Sequence, residues 1–546
     1  MAHTSISQLF PAQCVLLATH YASEANITVL RTLTLSRPDA FGPELVLRIL
    51  LTYLPESVEP IQYTGFVGEV ARKSHLEQQG STDVDIFPVQ DISEVQAIKR
   101  VRKLHLLPLQ HPAYESAFLN DPLVTFVIHR AHRIDAQTGL LNLIPQLVNP
   151  FLDQDEVLRA WFISCVLPLL RVNYEYYPQD SSPPPLAEFV NYSVPKGVDA
   201  LLSSALEGKH AATSGGITRD FRGLLAPWMY GDSLRKRRKL ARGQISESVP
   251  AAEADIKRLG MDRAEEEMAT DHDWEWAFMW MVHTARRKFS LVTEAIEGWD
   301  GPGDVDFGGY ADDKYLDNEV RRKLDIQYAQ VAFAVVYAAE ANTPETIEGA
   351  HSVLVRLAQL LDFDPPPDLA TSVELLPKVN SQTSVLDETS KSMLEPSVLP
   401  KAGHPLTTPG LESFSLLQMF IYSAYLLAGL GHPISIVNAA KLRFYSDEEQ
   451  QLATVQKILH ASSAAPKKDE NQWTQTSNRL LWLWHWGMDA EEESAQFGAG
   501  LFGKIDRSIL AQEIAKAFLT SSCELCYMTP FLPGVGELFL RCKPTA

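Results

Sequence analysis

The chain has 546 residues, 45% of them hydrophobic, enough for several domain-sized cores or one elongated helical array, and this excludes disorder throughout. Its formal charge of -20, from 48 basic against 68 acidic residues, opposes general binding to nucleic acid or to an anionic membrane surface and favours a protein partner. Five cysteines are an odd number, and Cys14 and Cys165 sit inside apolar helical patterns as small core residues, which fits a reduced cytosolic compartment better than a disulfide framework.

Helical periodicity dominates, and persuasive strand alternation is absent. The opening MAHTSISQLFPAQC lacks a basic segment followed by a continuous apolar stretch, so a cytosolic protein without a secretory signal is expected. Residues 42–54 begin with Gly42 and Pro43 and stop at Pro55, the usual punctuation of a helix. Leu45, Val46, Leu47, Ile49, Leu50, Leu51 and Leu54 cover most of its surface, which predicts a sandwiched helix. Further on, 151–178 reads FLDQDEVLRAWFISCVLPLLRVNYEYYP. Its apolar residues Val157, Leu158, Trp161, Phe162, Cys165, Val166, Leu169 and Leu170 recur at three- and four-residue steps, predicting a long buried helix with no catalytic group. Residues 178–196, rich in Pro and Ser, read as a polar linker closing an N-terminal array over 1–177.

A central array is expected over 197–363. Within it the basic run RKRRKLAR, 235–242, stands out in an acidic chain. Arg235, Lys236, Arg237, Arg238 and Lys239 are candidate partner-binding residues, suited to an acidic peptide, an anionic lipid or a nuclear-import receptor, beside the plain reading of a solvated loop. One long helix is predicted over 271–297, with Trp274, Phe278, Met281, Ala285, Phe289, Val292 and Ile296 on one face and Thr270 and Asp273 at capping-box spacing. The clearest hairpin runs from 315 to 361. Leu316, Val320, Leu324, Tyr328, Val331 and Val335 form one stripe, and Ile347, Ala350, Leu354, Leu357, Ala358 and Leu361 form the other. Thr343 caps the second helix and Pro344 fills its first turn, so the two neighbours are antiparallel.

Residues 364–410, without sustained periodicity, are expected to project as a disordered loop. A C-terminal array over 411–519 opens with FSLLQMFIYSAYLLAGLGHP, 414–433, whose Gln418, Ser423 and terminal Gly429, Gly431 and Pro433 make it a buried helix rather than a membrane span. Ser446 and Glu449 suit a capping box before Leu452, Val455, Ile458 and Leu459. Trp482, Trp484 and Trp486 continue a helical pattern from Trp473 and read mainly as inter-helix packing. An atypical tail over 520–546 holds Cys523, Cys526 and Cys542, one CxxC lacking a fourth zinc ligand. With no fixed repeat period, the predicted fold is all-α, an irregular α-solenoid of antiparallel helical hairpins.

Catalytic chemistry finds little support. Asp312, Asp313 and Asp317 in DDKYLD could hold magnesium for a diphosphate, as in all-helical prenyl-transfer enzymes, but no second acidic motif faces them. DVDFGG, 304–309, starts like a calcium loop, yet Tyr315 occupies the place of the acidic twelfth ligand. His129 and His132 share a helical face, and His272 adjoins Asp273, without a third ligand at diagnostic spacing. GxxxxGK[ST], GxSxG and HExxH are absent. The residues therefore suggest no cofactor, no metal and no enzyme. The alternatives are a magnesium-dependent prenyl-transfer-like enzyme using the Asp312 cluster and a helical nuclear-transport adaptor using the basic run.

Besides 151–178, several blocks resemble one family in order along the chain. They are PELVLRILLTYLPE (43–56), FRGLLAPWMYGDSLRKRRKL (221–240), GWDGPGDVDFGGY (298–310), ISIVNAAKLRFYSDEEQQLATVQKIL (434–459) and RLLWLWHWGMD (479–489). Together they cover most of 8–518 and resemble the Sec39 domain family, fungal relatives of the neuroblastoma-amplified sequence protein. The resemblance implies an irregular α-solenoid in a Dsl-type (NRZ) tethering complex. It implies a hetero-oligomer that binds a central tether subunit and an endoplasmic-reticulum SNARE, and indirectly COPI-coated vesicles in retrograde Golgi-to-ER transport. The implied location is peripheral, on the cytoplasmic face of the endoplasmic reticulum, with no transmembrane insertion.

Overall fold

The computed structural model describes residues 6–72, 84–114, 121–179, 183–209, 215–230, 273–311, 315–316, 318–378, 392–464, 470–487 and 496–520. Among these, every regular element is helical, so the fold is all-α. The chain divides into two compact units, Met1–Trp276 with Asp304–Tyr315, and Ala277–Gly303 with Leu316–Ala546. The 178–196 segment lies inside the first.

In the first unit Pro43–Tyr53 starts after an extended Gly42 and ends at Leu54. It packs against Pro11–Ser23, Thr64–Arg72 and Pro122–Thr138, so the predicted sandwiching holds. Its end is closed from a distance. Arg130, fully buried on Pro122–Thr138, donates to the carbonyls of Leu54 at 2.8 Å and Pro55 at 2.7 Å and lies 3.6 Å from Glu56. A helix leaves its last carbonyls without intrahelical donors, and the guanidinium fork supplies them while its charge stays near a carboxylate. The 178–196 stretch is not wholly a linker. Leu186–Phe189 forms a short helix with both end residues buried, held by the Leu186 N–H on Asp135 Oδ2 at 2.7 Å. Cys14 and Cys165 are buried free thiols, as expected of core residues.

The long helix Glu156–Tyr176 forms, but not as a uniform α-helix. It contains π-helical turns at Phe162–Val166 and Arg171–Tyr176. Pro168 explains the first: proline has no N–H for the carbonyl four residues back and its ring crowds that carbonyl, and a wider turn relieves both. The same device recurs at Phe221–Leu225, two residues before Pro227.

The expected helix over 271–297 is two helices, Asp273–Ala285 and Phe289–Gly298. The Arg287 and Lys288 N–H groups both turn back to the Thr284 carbonyl, at 3.0 and 2.8 Å. Ala285 and Phe289 are four apart and both buried, so the apolar face continues across the break and periodicity cannot reveal it. Thr270 lies outside the described residues.

The hairpin consists of Asn318–Ala338 and Pro344–Leu361, with the Thr343 hydroxyl accepting the Thr346 N–H at 3.3 Å. Leu324, Tyr328, Val331 and Val335 are buried, whereas Val320 is exposed and Leu316 only half-buried, so the buried stripe begins about two turns later than expected. Pro344–Leu361 packs between Phe289–Gly298 and Leu411–Gly429. Residues 392–410, within the stretch expected to project, are instead packed as turns. Met393, Leu394, Leu399 and Leu406 are buried, His404 Nε2 lies 2.8 Å from the Met393 carbonyl, and Thr407 Oγ1 donates to the Leu399 carbonyl at 2.6 Å. Gln330 from the hairpin donates to the Lys401 carbonyl. Serines, threonines and prolines hide this packing because its hydrogen bonds are not periodic.

Glu448–Ala464 is capped by Asp447, which accepts the Gln450 N–H at 2.8 Å; the expected cap Ser446 instead gives its carbonyl to Lys504 Nζ at 2.6 Å. Among the described residues two helices, Glu156–Tyr176 and Leu411–Gly429, are long and apolar enough to cross a membrane, and in each 72% of the apolar window is buried within the fold. That coverage by protein is what a core helix requires.

Candidate functional site

In the first unit the buried Arg171, at the end of Glu156–Tyr176, meets the 304–310 loop. Pro227 cannot donate to the Gly223 carbonyl, and that carbonyl accepts Arg171 Nη1 at 2.8 Å. The same Nη1 donates to the Asp306 carbonyl at 2.6 Å, and Nη2 lies 3.0 Å from Asp306 Oδ1. Beside it, Arg222 Nε donates to Asp304 Oδ2 at 2.6 Å, and the Arg222 carbonyl accepts the Asp306 N–H at 3.0 Å. Gly308 and Gly309 take φ of 62° and 81°, the left-handed turn that glycine adopts without a Cβ penalty. Phe307 is buried, its ring 5.0 Å from Tyr230.

Asp304 and Asp306 are thus committed to guanidinium groups, which gives the calcium-like DVDFGG a structural role. Among the described residues no group of three His, Cys, Asp or Glu could hold a metal ion. The arrangement binds a loop to two helices and offers no nucleophile, base or open cation.

His129 and His132 do share a buried helical face. His129 Nδ1 is 2.9 Å from the Leu109 carbonyl, and His132 Nε2 is 3.0 Å from the Tyr114 hydroxyl, which accepts Trp161 Nε1 at 2.6 Å. A third member, His111, stacks on His132 at 4.1 Å between centroids. Sequence reasoning missed it because its segment has no periodic signal. Burial first, then His129, pushes the His111 pKa down to about 4, and burial also lowers that of His129. The stacking and hydrogen bonds make the cluster a packing element.

Trp482, Trp484 and Trp486 are all buried, so the reading as packing holds. Trp484 Nε1 donates to the Ile505 carbonyl at 2.8 Å and Trp486 Nε1 to Ser423 Oγ at 3.0 Å, the latter tying Glu470–His485 to Leu411–Gly429. The basic run Arg235, Lys236, Arg237, Arg238 and Lys239 lies outside the described residues, as do Asp312, Asp313, Asp317, His272 and the three tail cysteines.

Comparison with curated proteins and with solved structures returns no match. The family model for secretory pathway protein Sec39 matches residues 15–527. That span takes in both units and the Arg171-clamped loop, and the chain belongs to the Sec39 family of secretory pathway proteins.

Proposed function

We propose that this protein is a non-enzymatic scaffold subunit of an endoplasmic-reticulum vesicle-tethering complex. In this reading it is an irregular α-solenoid within a hetero-oligomer, holding a central tether subunit and ER SNARE proteins, and it serves retrograde transport of COPI-coated vesicles. It sits as a peripheral protein on the cytoplasmic face of the endoplasmic reticulum. The observation that carries this reading is family membership across residues 15–527. Support comes from the chemistry of the described polar clusters: Arg130, Arg171, Asp304 and Asp306 all hold backbone or side chains of the fold itself.

Affinity purification of the tagged full chain with mass spectrometry tests the proposal directly. Tether subunits and SNAREs should be recovered together, whereas nuclear-import receptors alone would overturn it. Asp312→Asn combined with Asp313→Asn should leave that recovery unchanged. A magnesium-dependent prenyl-transfer activity that this double variant abolishes would refute a non-enzymatic scaffold.

A further inference from the structure

The helix Glu94–Val101 departs from the pattern of its neighbours. Only Ala97 is buried, seated against Pro11–Ser23, while Val95 is 77% exposed and Ile98 39% exposed. Val95, Ile98, Lys99 and Arg102 stand at i, i+3, i+4 and i+7, so they form one stripe on the side away from Ala97. Such a stripe in a single helix normally faces a core; here it faces outward and joins apolar side chains to cations. Arg100 lies on the flank nearer Ala97 and Lys103 follows in the turn after the helix; all four cations are exposed, and none makes an ion pair among the described residues. The cations complement the helix dipole, but that does not account for the exposed Val95 and Ile98.

The helix is firmly mounted. Ser93 and Gln96 cap each other reciprocally, and Gln13 Nε2 donates to the Ile92 carbonyl at 2.7 Å. The exposed stripe therefore belongs to a fixed, preformed surface.

We propose that this outward face docks an acidic amphipathic helix of a protein partner. Charge complementarity selects the occupant: a local concentration of cations in a chain of net charge -20 attracts an acidic segment at short range. The acidic remainder of the chain opposes close approach to an extended anionic bilayer. Val95 and Ile98 would take the partner's apolar side chains, while Lys99 and Arg102 would face its carboxylates. This surface goes beyond the tethering reading and does not depend on which complex contains the protein.

The test uses the purified full chain and a labelled synthetic helical peptide with Leu at three- and four-residue spacing and Glu between, followed by fluorescence anisotropy. A twin with Lys in place of Glu and phosphatidylserine-containing vesicles are the competing probes. The acidic peptide should bind, and the variants Lys99→Glu/Arg102→Glu and Val95→Ser/Ile98→Ser should each weaken it by about tenfold or more. Added salt should weaken binding to the parent chain. Circular dichroism should show both variants folded, because the altered side chains are exposed. The proposal is overturned if the acidic peptide fails to bind, if the Lys twin binds as well, or if both folded variants keep the parent affinity. It is equally overturned if the vesicles bind through these residues and the peptide does not.

Discussion

Arg171 holds Asp306 at both its backbone and its side chain, with Nη1 2.6 Å from the carbonyl and Nη2 3.0 Å from Oδ1, across 135 positions of sequence. The same guanidinium satisfies the Gly223 carbonyl that Pro227 leaves without a helical donor. A π-helical turn and a distant loop thus share one buried side chain.

Arg171→Met should destabilise the first unit by about 1–3 kcal/mol, because it leaves the buried Gly223 carbonyl and the part-buried Asp306 carbonyl without their donor. Asp306→Ala removes a half-exposed carboxylate and should cost less than about 1 kcal/mol. Urea unfolding of the two variants checks the order. Equal stabilities would show that the clamp does not hold the loop.

Glycine positions separate close packing from open space. A Cβ on Gly197 would lie 2.1 Å from the Trp228 ring, and Trp228 is buried. Gly197→Ala should therefore destabilise by about 1–3 kcal/mol or more. Gly65 has nothing within 4 Å of such a Cβ and lies in Thr64–Arg72, so Gly65→Ala should stabilise by up to about 1 kcal/mol. Thermal melting of the pair reads both signs.

His111 gives a pH dependence of defined sign. Its folded pKa of about 4 lies below the ordinary histidine value of 6.5, so between these values the unfolded chain binds a proton that the folded chain refuses. Its contribution to stability is complete above about pH 6.5, falls as pH drops toward 4, and changes little below that. His111→Phe keeps a ring for stacking and removes the proton site. The slope of stability against pH between 4 and 6.5 should flatten in this variant; an unchanged slope would remove His111 from the account.

Leu324 marks where burial begins in Asn318–Ala338. Leu324→Asp loses about 1.5–3 kcal/mol of burial and adds the desolvation of a carboxylate. Hydrogen exchange should show protection lost over 318–361, with helicity retained elsewhere, and recovery of tether partners should weaken. Full protection together with intact assembly would contradict the packing assigned to this hairpin.

Much of the fold was legible because core coverage imposes a 3.6-residue rhythm. Gly42–Pro43, Thr343–Pro344 and the stripes from Leu324 to Val335 and from Ile347 to Ala358 all read correctly. The break at 286–288 was not legible, because Ala285 and Phe289 keep the spacing of one helix. Nor was the role of the 304–309 aspartates, since Arg171 and Arg222 reach them from far along the chain.

By itself the sequence determined that the protein is helical, which residues form most apolar faces, and which family it resembles, because these properties are written in local spacing and ordered blocks. Tertiary structure decided where those faces are covered. It buries Leu324 but exposes Val320, packs the turns of 392–410, and leaves Val95 and Ile98 facing outward with Lys99 and Arg102. Periodicity records that a helix has two faces; only the arrival of other elements decides which face loses its water.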